Sequence, residues 1–495
     1  METTALISPF LLKILLLAGG TFLAWKWATR KRTNYPPGPR NIPVLGCTWA
    51  LDHKSPITTF SQWAKQYGRY YYCKLGKDNV VVVNDPALVR SLFANENCTN
   101  RPEVPGARFR KEEAAGHCGL IFAEGLEWKE HRRFVLRSLK DLGVGKRSIE
   151  DKVAEEAEYL TSAFRNTNGQ PFDNKVPVST SVANVIANIV WDERYEIGDP
   201  VFQELMDSVF TLFRTSFASA MLGSYIWLRY VPYFSGVFAA FDRCAKTIAA
   251  YFWRKTEEHL ATWQPQNDRD MMDAYISSMK QNEFKTFEAK QMSFMVEDLM
   301  EAGFETTATG LRWAFLLMCA HPEIQKKVQA ELDANIHDGA TIKPADKANL
   351  PYTEAVIAEM QRWASFVPFG VMHAVEKDMD LDGYTLHAGT WILPNLYFIH
   401  HDEKLWKDPF EFRPERFLSA KGEFSEPDTY MPFSVGRRKC PGETLARIEL
   451  LVFFGTILKE MTLSLPPGVA ANLQPLPGAT LDAAKHSLIA VPRKR

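Results

Sequence analysis

Between Phe287 and Ala320 the chain carries no proline, and the run stops only at His321-Pro322. Proline removes a helix donor and collides with the preceding turn, so this stretch of more than 30 residues reads as one long helix. Globular helices average about 11–12 residues, and one this long needs a large body to bury it. The chain can supply that body, since 46% of its 495 residues are hydrophobic and 12% are aromatic. The helix has a soft centre at Gly303, Thr306 and Thr307. Glycine costs about 1 kcal/mol against alanine there, and threonine can turn its hydroxyl back on the carbonyl four residues earlier. From Trp128 onward most of the chain reads helical. Arg69–Val83 reads as two strands and a turn, strand signals return over Asp380–Pro394, and turn signals at Pro466–Gly468 and Pro475–Gly478 predict a final hairpin. The fold class is mainly α with small β-sheets.

Lys plus Arg number 58 and Asp plus Glu 59, so no global charge points to nucleic acid. The seven cysteines are scattered and form no C-x-x-C pair, which argues against a disulfide framework or a zinc site and for a reducing compartment. Length alone suggests about three domains. The motifs below form one constellation, so 41–495 reads as one large domain.

Residues Ala5–Trp25 are mostly apolar and about long enough to span a bilayer, with Lys26, Arg30, Lys31 and Arg32 directly after. The expectation is a transmembrane anchor over 1–28, with the rest of the chain cytosolic. Lys13 inside the run is a departure that its long stem can relieve by snorkelling. A cleaved signal peptide is the other reading, but no small-residue cleavage site follows. Residues 29–40 read as a basic, proline-rich hinge, from Pro36-Pro37-Gly38-Pro39-Arg40. A cytosolic body leaves the Asn97-Cys98-Thr99 sequon silent.

The most specific pattern is Met431–Glu443, MPFSVGRRKCPGE. Phe433, Gly436, Arg438, Cys440 and Gly442 fit F-x-x-G-x-R-x-C-x-G. A cysteine before a helix start is placed to be a thiolate, because the helix N-terminus favours negative sulfur. Taken alone, Cys440 is as well explained as a buried inert thiol. The segment resembles the cysteine-ligand signature of the cytochrome P-450 superfamily. Further motifs of that family stand in order: Glu359 and Arg362 in EMQR, Arg416 in RPERF, and AGFETT over Ala302–Thr307. The resemblance covers about residues 36–495.

The resemblance implies a haem-thiolate monooxygenase fold behind the N-terminal anchor, with Cys440 as axial iron ligand, a bond that favours O–O cleavage. Phe433 and Gly436 would shape the loop against the macrocycle. Arg438 would pair with a haem propionate, as would Trp128 and Arg132 (W-x-x-x-R), His373 in FGVMHAV and Arg101 in NRP. Glu359, Arg362 and Arg416 would lock the core behind the cysteine loop. Glu305 and Thr306 would relay protons for oxygen activation, with small Ala302 and Gly303 leaving room above the iron. Read alone, Glu359–Arg362 is an ordinary surface pair and Thr306 an ordinary kinking threonine.

Lys129, Arg132, Arg133, Arg137 and Lys140 with Arg437 and Lys439 suggest a basic landing site. The family docks an acidic NADPH-dependent flavoprotein reductase or cytochrome b5 there. The absence of a G-x-G-x-x-G loop fits an external electron donor. Apolar, aromatic Ser216–Phe241 suggests a membrane-side route for lipophilic substrates: steroid, fatty acid, terpenoid or xenobiotic. The motifs resemble the animal microsomal branch, which implies the endoplasmic reticulum membrane with the catalytic domain on the cytosolic face. Peroxide isomerase or dehydratase chemistry, and a non-enzymatic haem or lipid binder, are the competing readings. The intact Glu305-Thr306 pair argues against both.

Overall fold

Val80–Val83 are four adjacent valines with no exposed surface, a run that suits a strand covered on both faces. The computed structural model describes residues 21, 34–52, 54–104, 119–141, 147–223 and 225–493. The side chains of 147–148, 216–223, 226–227 and 233 are outside that description. β1 (Tyr70–Leu75) and β2 (Asp78–Val83) form the expected hairpin, with Tyr70 opposite Val83. After the helical part come β3 (His373–Ala374), β4 (Met379–Leu381), β5 (Tyr384–Leu386) and β6 (Trp391–Pro394). β6 pairs parallel with β2, placing Val80 opposite Trp391, and antiparallel with β3. The resulting sheet, ordered β1-β2-β6-β3, ties the start of the body to its last quarter. β7 (Met461–Ser464) pairs with β10 (Ile489–Pro492), and β8 (Pro475–Leu476) pairs with β9 (Asp482–Ala483) as the predicted late hairpin.

Helices dominate the remainder, as expected. The long helix runs unbroken over Ala289–Ala320 and is buried along most of its length. It packs against helices Lys175–Trp191, Pro232–Thr262 and Glu443–Glu460. Gly303 has a packing role that the sequence reading did not foresee: a Cβ there would meet the Ile186 side chain at 2.8 Å. The glycine lets two helices close together, and does not merely clear space.

Glu359, Arg362 and Arg416 form a buried triad, not a surface pair. Arg362 Nε and Nη2 donate to Glu359 at 2.6 and 2.8 Å, and Arg416 Nε donates to the same carboxylate at 3.0 Å. Arg362 Nη1 also donates to the His400 carbonyl at 2.7 Å.

Except for residue 21, the proposed anchor lies outside the described residues. Among those described, no helix is long and apolar enough to cross a membrane. At 34–40, the described part of the basic, proline-rich hinge, the chain is in contact with the body. Tyr72 N–H donates to the Pro37 carbonyl at 3.0 Å, Tyr35 stacks on Tyr72 at 4.3 Å, and a Cβ on Gly38 would overlap the Tyr72 carbonyl. The proline segment is pinned to β1.

Candidate active site

The cysteine loop is built from its glycines and one long-range contact. Gly436 adopts φ +78°, and a Cβ there would run into the Phe93 carbonyl. Gly436 therefore does not lie against the cavity, contrary to expectation. It seats the loop on the helix Pro86–Ala94, with Arg437 N–H donating to the Phe93 carbonyl at 3.2 Å. The Cys440 amide donates to the Phe433 carbonyl at 3.0 Å, and helix Glu443–Glu460 starts three residues later. The Cys440 sulfur accepts from the Gly442 amide, and the residue's exposed surface opens onto a cavity of about 260 Å³. Burial pushes the free thiol up, while the Gly442 amide and the charges of Arg132 and Lys439 act the other way. A coordinating metal ion deprotonates such a thiol outright.

The rim beside the sulfur is cationic. Arg438 donates to the carbonyls of Thr99 (2.9 Å) and Ala123 (2.5 Å) and lies 4.1 Å over the Trp128 ring. Arg101 donates to the carbonyls of Ile121 (3.1 Å), Val371 (3.0 Å) and Met372 (2.8 Å). Arg132 donates to the Lys439 carbonyl at 2.6 Å. His373 Nδ1 is 2.6 Å from the Cys98 carbonyl, and its ring stacks on Phe93 at 3.6 Å. Arg101, Trp128, Arg132, His373, Arg438 and Cys440 all line the one cavity, as do Phe433 and Ala302.

None of these three arginines forms an ion pair among the described residues. The Glu124 carboxylate beside them accepts from the Arg101 backbone amide. Burial, reinforced by the neighbouring arginines, lowers Arg101 to about 9 and Arg438 to about 8. Burial and the charge of Arg101 hold His373 down to about 2. Clustered, desolvated cations are costly unless an anion joins them. A large apolar cavity with a thiol on one wall and, on its rim, guanidiniums that form no ion pair among the described residues fits haem, whose flat ring is apolar and whose edge bears two carboxylates.

The opposite wall is the central helix, through Asp298, Leu299, Ala302, Gly303, Thr306 and Thr307. Thr306 turns its hydroxyl back on the Ala302 carbonyl at 2.7 Å. Glu305 departs from the expected pairing. Adjacent helical residues point about 100° apart, and its carboxylate faces away from the cavity. Its Oε1 accepts from Thr480 at 2.6 Å, and burial pushes it up to about 8.

Two carboxyls that sequence reasoning passed over do reach the cavity. Asp298 accepts the amides of Leu120 and Ile121 at 2.6 and 2.7 Å, clamping a loop that lines the site. Glu449 comes from the helix after the cysteine and hydrogen-bonds Thr307, with burial holding it well above the usual carboxylate range. The i+9 spacing from Cys440 was visible, but nothing local marked it as inward-facing.

Residues 36–488 match the family model described as "Cytochrome P450". The chain belongs to that family. It is 36% identical to cytochrome P450 2J3 of Rattus norvegicus over 97% of this chain and 96% of the relative. It is also 36% identical to cytochrome P450 2J2 of Homo sapiens, covering 94% and 92%, and 35% identical to cytochrome P450 2D6 of Homo sapiens, covering 94% and 95%. As a member of the family, the protein is a haem-dependent monooxygenase, an oxidoreductase that acts on lipophilic small molecules with electrons from a redox partner.

Proposed function

We propose that Cys440 supplies the axial thiolate of the haem iron. We also propose that Arg101, Arg132, Arg438, Trp128 and His373 hold the two haem carboxylates. The observation that carries this reading is a single cavity lined by the Cys440 sulfur and by three guanidiniums without ion-pair partners among the described residues. When bound, haem supplies dioxygen activation, which a thiolate ligand promotes.

The chain's own residues do the rest. The Gly442 amide steadies negative sulfur. Thr306 commits its hydrogen to Ala302, which leaves oxygen lone pairs free to accept from water or substrate in the cavity. Burial raises Glu305 to about 8, which favours its protonated form, and it reaches Thr306 only by leaving Thr480, so proton delivery includes a side-chain rotation. Apolar Leu120, Ile121, Leu299 and Val367 exclude water around a lipophilic substrate.

Electrons come from NADPH through a flavoprotein reductase, with cytochrome b5 as a second donor, at the basic face. Arg132 leaves that face for the cavity. Lys129 and Arg437 share Glu96 (3.2 and 3.7 Å), Arg137 pairs with Glu283 and Lys439 with Glu443 (2.6 Å). Arg133 and Lys140, with no ion pair among the described residues, carry the docking charge. Exposed Val44, Leu45, Trp49 and Tyr230, with the Tyr225 hydroxyl donating to the Val44 carbonyl, form an apolar surface suited to the endoplasmic reticulum membrane that residues 1–28 would anchor.

The deciding experiment is the absorption spectrum of the reduced carbon monoxide complex. Wild type should show the red-shifted Soret band of thiolate ligation, and Cys440→Ser should lose it. A histidine-like spectrum in wild type rejects the reading.

A further inference from the structure

Cys47 and Cys73 meet in a small core of their own, and neither lines the large cavity. Cys73 is on β1, and Cys47 lies on the chain beside it, just before a short 3-10 turn at Thr48–Ala50. The Cys47 amide donates to the Lys74 carbonyl at 2.8 Å, and Gly46 bridges antiparallel to Leu75. Gly46 adopts φ +61°, and a Cβ there would overlap the Lys74 carbonyl, so the two segments press as closely as backbone allows. The two thiols hydrogen-bond each other. Neither cysteine has exposed surface, and both belong to the same apolar cluster as Phe60, Trp63 and Tyr71.

The pair is chemically unequal. The hydrogen bond from Cys73, helped by the Lys74 amide, lowers Cys47 against its burial, whereas burial and the same bond raise Cys73 well above an ordinary thiol. Cys47 is thus the nucleophile and Cys73 the thiol held in reserve, the division of roles that oxidation by peroxide needs. The cover over Cys47 is thin, because Val44, Leu45 and Trp49 on the same turn are about half exposed. Hydrogen peroxide is small and neutral, and a brief local opening of that turn admits it.

We propose that Cys47 and Cys73 are a modification site, forming a reversible disulfide that fastens the turn 42–50 to β1 when peroxide accumulates. The Cys47 thiolate attacks one peroxide oxygen, forming an S–O bond as the O–O bond breaks. The departing hydroxide takes up the proton that Cys47 released and leaves as water. The Cys73 sulfur then displaces the hydroxyl from Cys47, its own proton leaving with that hydroxyl as a second water, and the S–S bond forms. The pair loses two electrons and one peroxide gains them. A small thiol reverses the step by exchange.

The test uses the folded, haem-loaded full chain, treated with hydrogen peroxide at a concentration that leaves the haem spectrum intact, then alkylated and digested with trypsin. Peptides Asn41–Lys54 and Tyr70–Lys74, each with one cysteine, should be recovered joined, and dithiothreitol should separate them. Hydrogen exchange at the Cys47 amide should slow at least roughly tenfold in the oxidised protein. Cys73→Ala should leave Cys47 as a sulfenic acid that dimedone traps, whereas Cys47→Ala should leave Cys73 reduced. Both thiols staying free under peroxide overturns the proposal, as does their loss without the joined peptides, or a join that appears only after denaturation. Unchanged exchange at Cys47 refutes the fastening, and dimedone on Cys73 in Cys47→Ala refutes the assigned roles.

Discussion

Glu305 and Thr480 share a 2.6 Å hydrogen bond on the side of the central helix turned away from the cavity that Thr306 lines. The bond joins the helix to the loop between β8 and β9, far along the chain, and it stores a buried proton beside the site.

That proton makes stability depend on pH. Burial raises Glu305 from the ordinary 4.5 to about 8 in the folded protein. Its contribution is therefore fully present below about 4.5 and is lost as pH rises through about 8. Glu305→Gln should unfold with less pH dependence across that window, and should gain at most roughly 5 kcal/mol over wild type above it. Denaturant melts at a series of pH values measure this, and parallel curves for the two proteins would refute it.

Thr306→Ala should consume NADPH and oxygen at a rate comparable to wild type but form less product and release more peroxide. The ratio of product to NADPH is the measurement. An unchanged ratio removes Thr306 from proton handling.

Arg438 holds two carbonyls and stacks on Trp128, a geometry that a lysine ammonium does not reproduce. Arg438→Lys should lose haem to an excess of a competing haem-binding protein roughly 10–100 times faster than wild type, in line with other outer-shell changes at metal sites.

Asp298→Ala should release the Leu120–Ile121 loop. Each charge-assisted hydrogen bond lost is worth about 1.5–3 kcal/mol. The expected readout is local: hydrogen exchange quickens at the Leu120 and Ile121 amides, and lipophilic probes bind more weakly.

Glu359→Gln leaves Arg362, fully buried, without its counter-charge. Breaking a buried pair by removing one partner costs about 3–5 kcal/mol. The variant should accumulate as aggregated, haem-poor protein, and carbon monoxide difference spectra of the soluble fraction would show the loss.

Much of this site was legible in the sequence because its key parts are local. Ten residues contain the cysteine loop, and a proline-free run gave the central helix to within two residues of its observed start at Ala289. Several of the residues that line the cavity were found from motifs, Arg101 and His373 among them. What escaped depends on direction or on distant partners. The letters Glu305-Thr306 do not say that neighbouring helical side chains diverge, nor that Thr480 waits on one side. Gly436 was read as laying the loop against the macrocycle and instead answers to Phe93, while Gly303, read as leaving room above the iron, lines the cavity and also answers to Ile186. Asp298 passed unnoticed because its amide partners sit some 180 residues earlier in a loop without regular structure. Likewise nothing in the proline segment at 36–40, read as a stiff hinge, announced its contacts with Tyr72.

The parallel pairing of Val80–Val83 with Trp391–Pro394 governs how the molecule can be made. During synthesis the valine strand emerges long before its mate, and at about 5–20 residues per second the wait is roughly 15–60 s. Throughout that interval an apolar edge with open backbone groups is available to any neighbouring nascent chain. Production of this protein should therefore respond to chaperone supply and to translation speed.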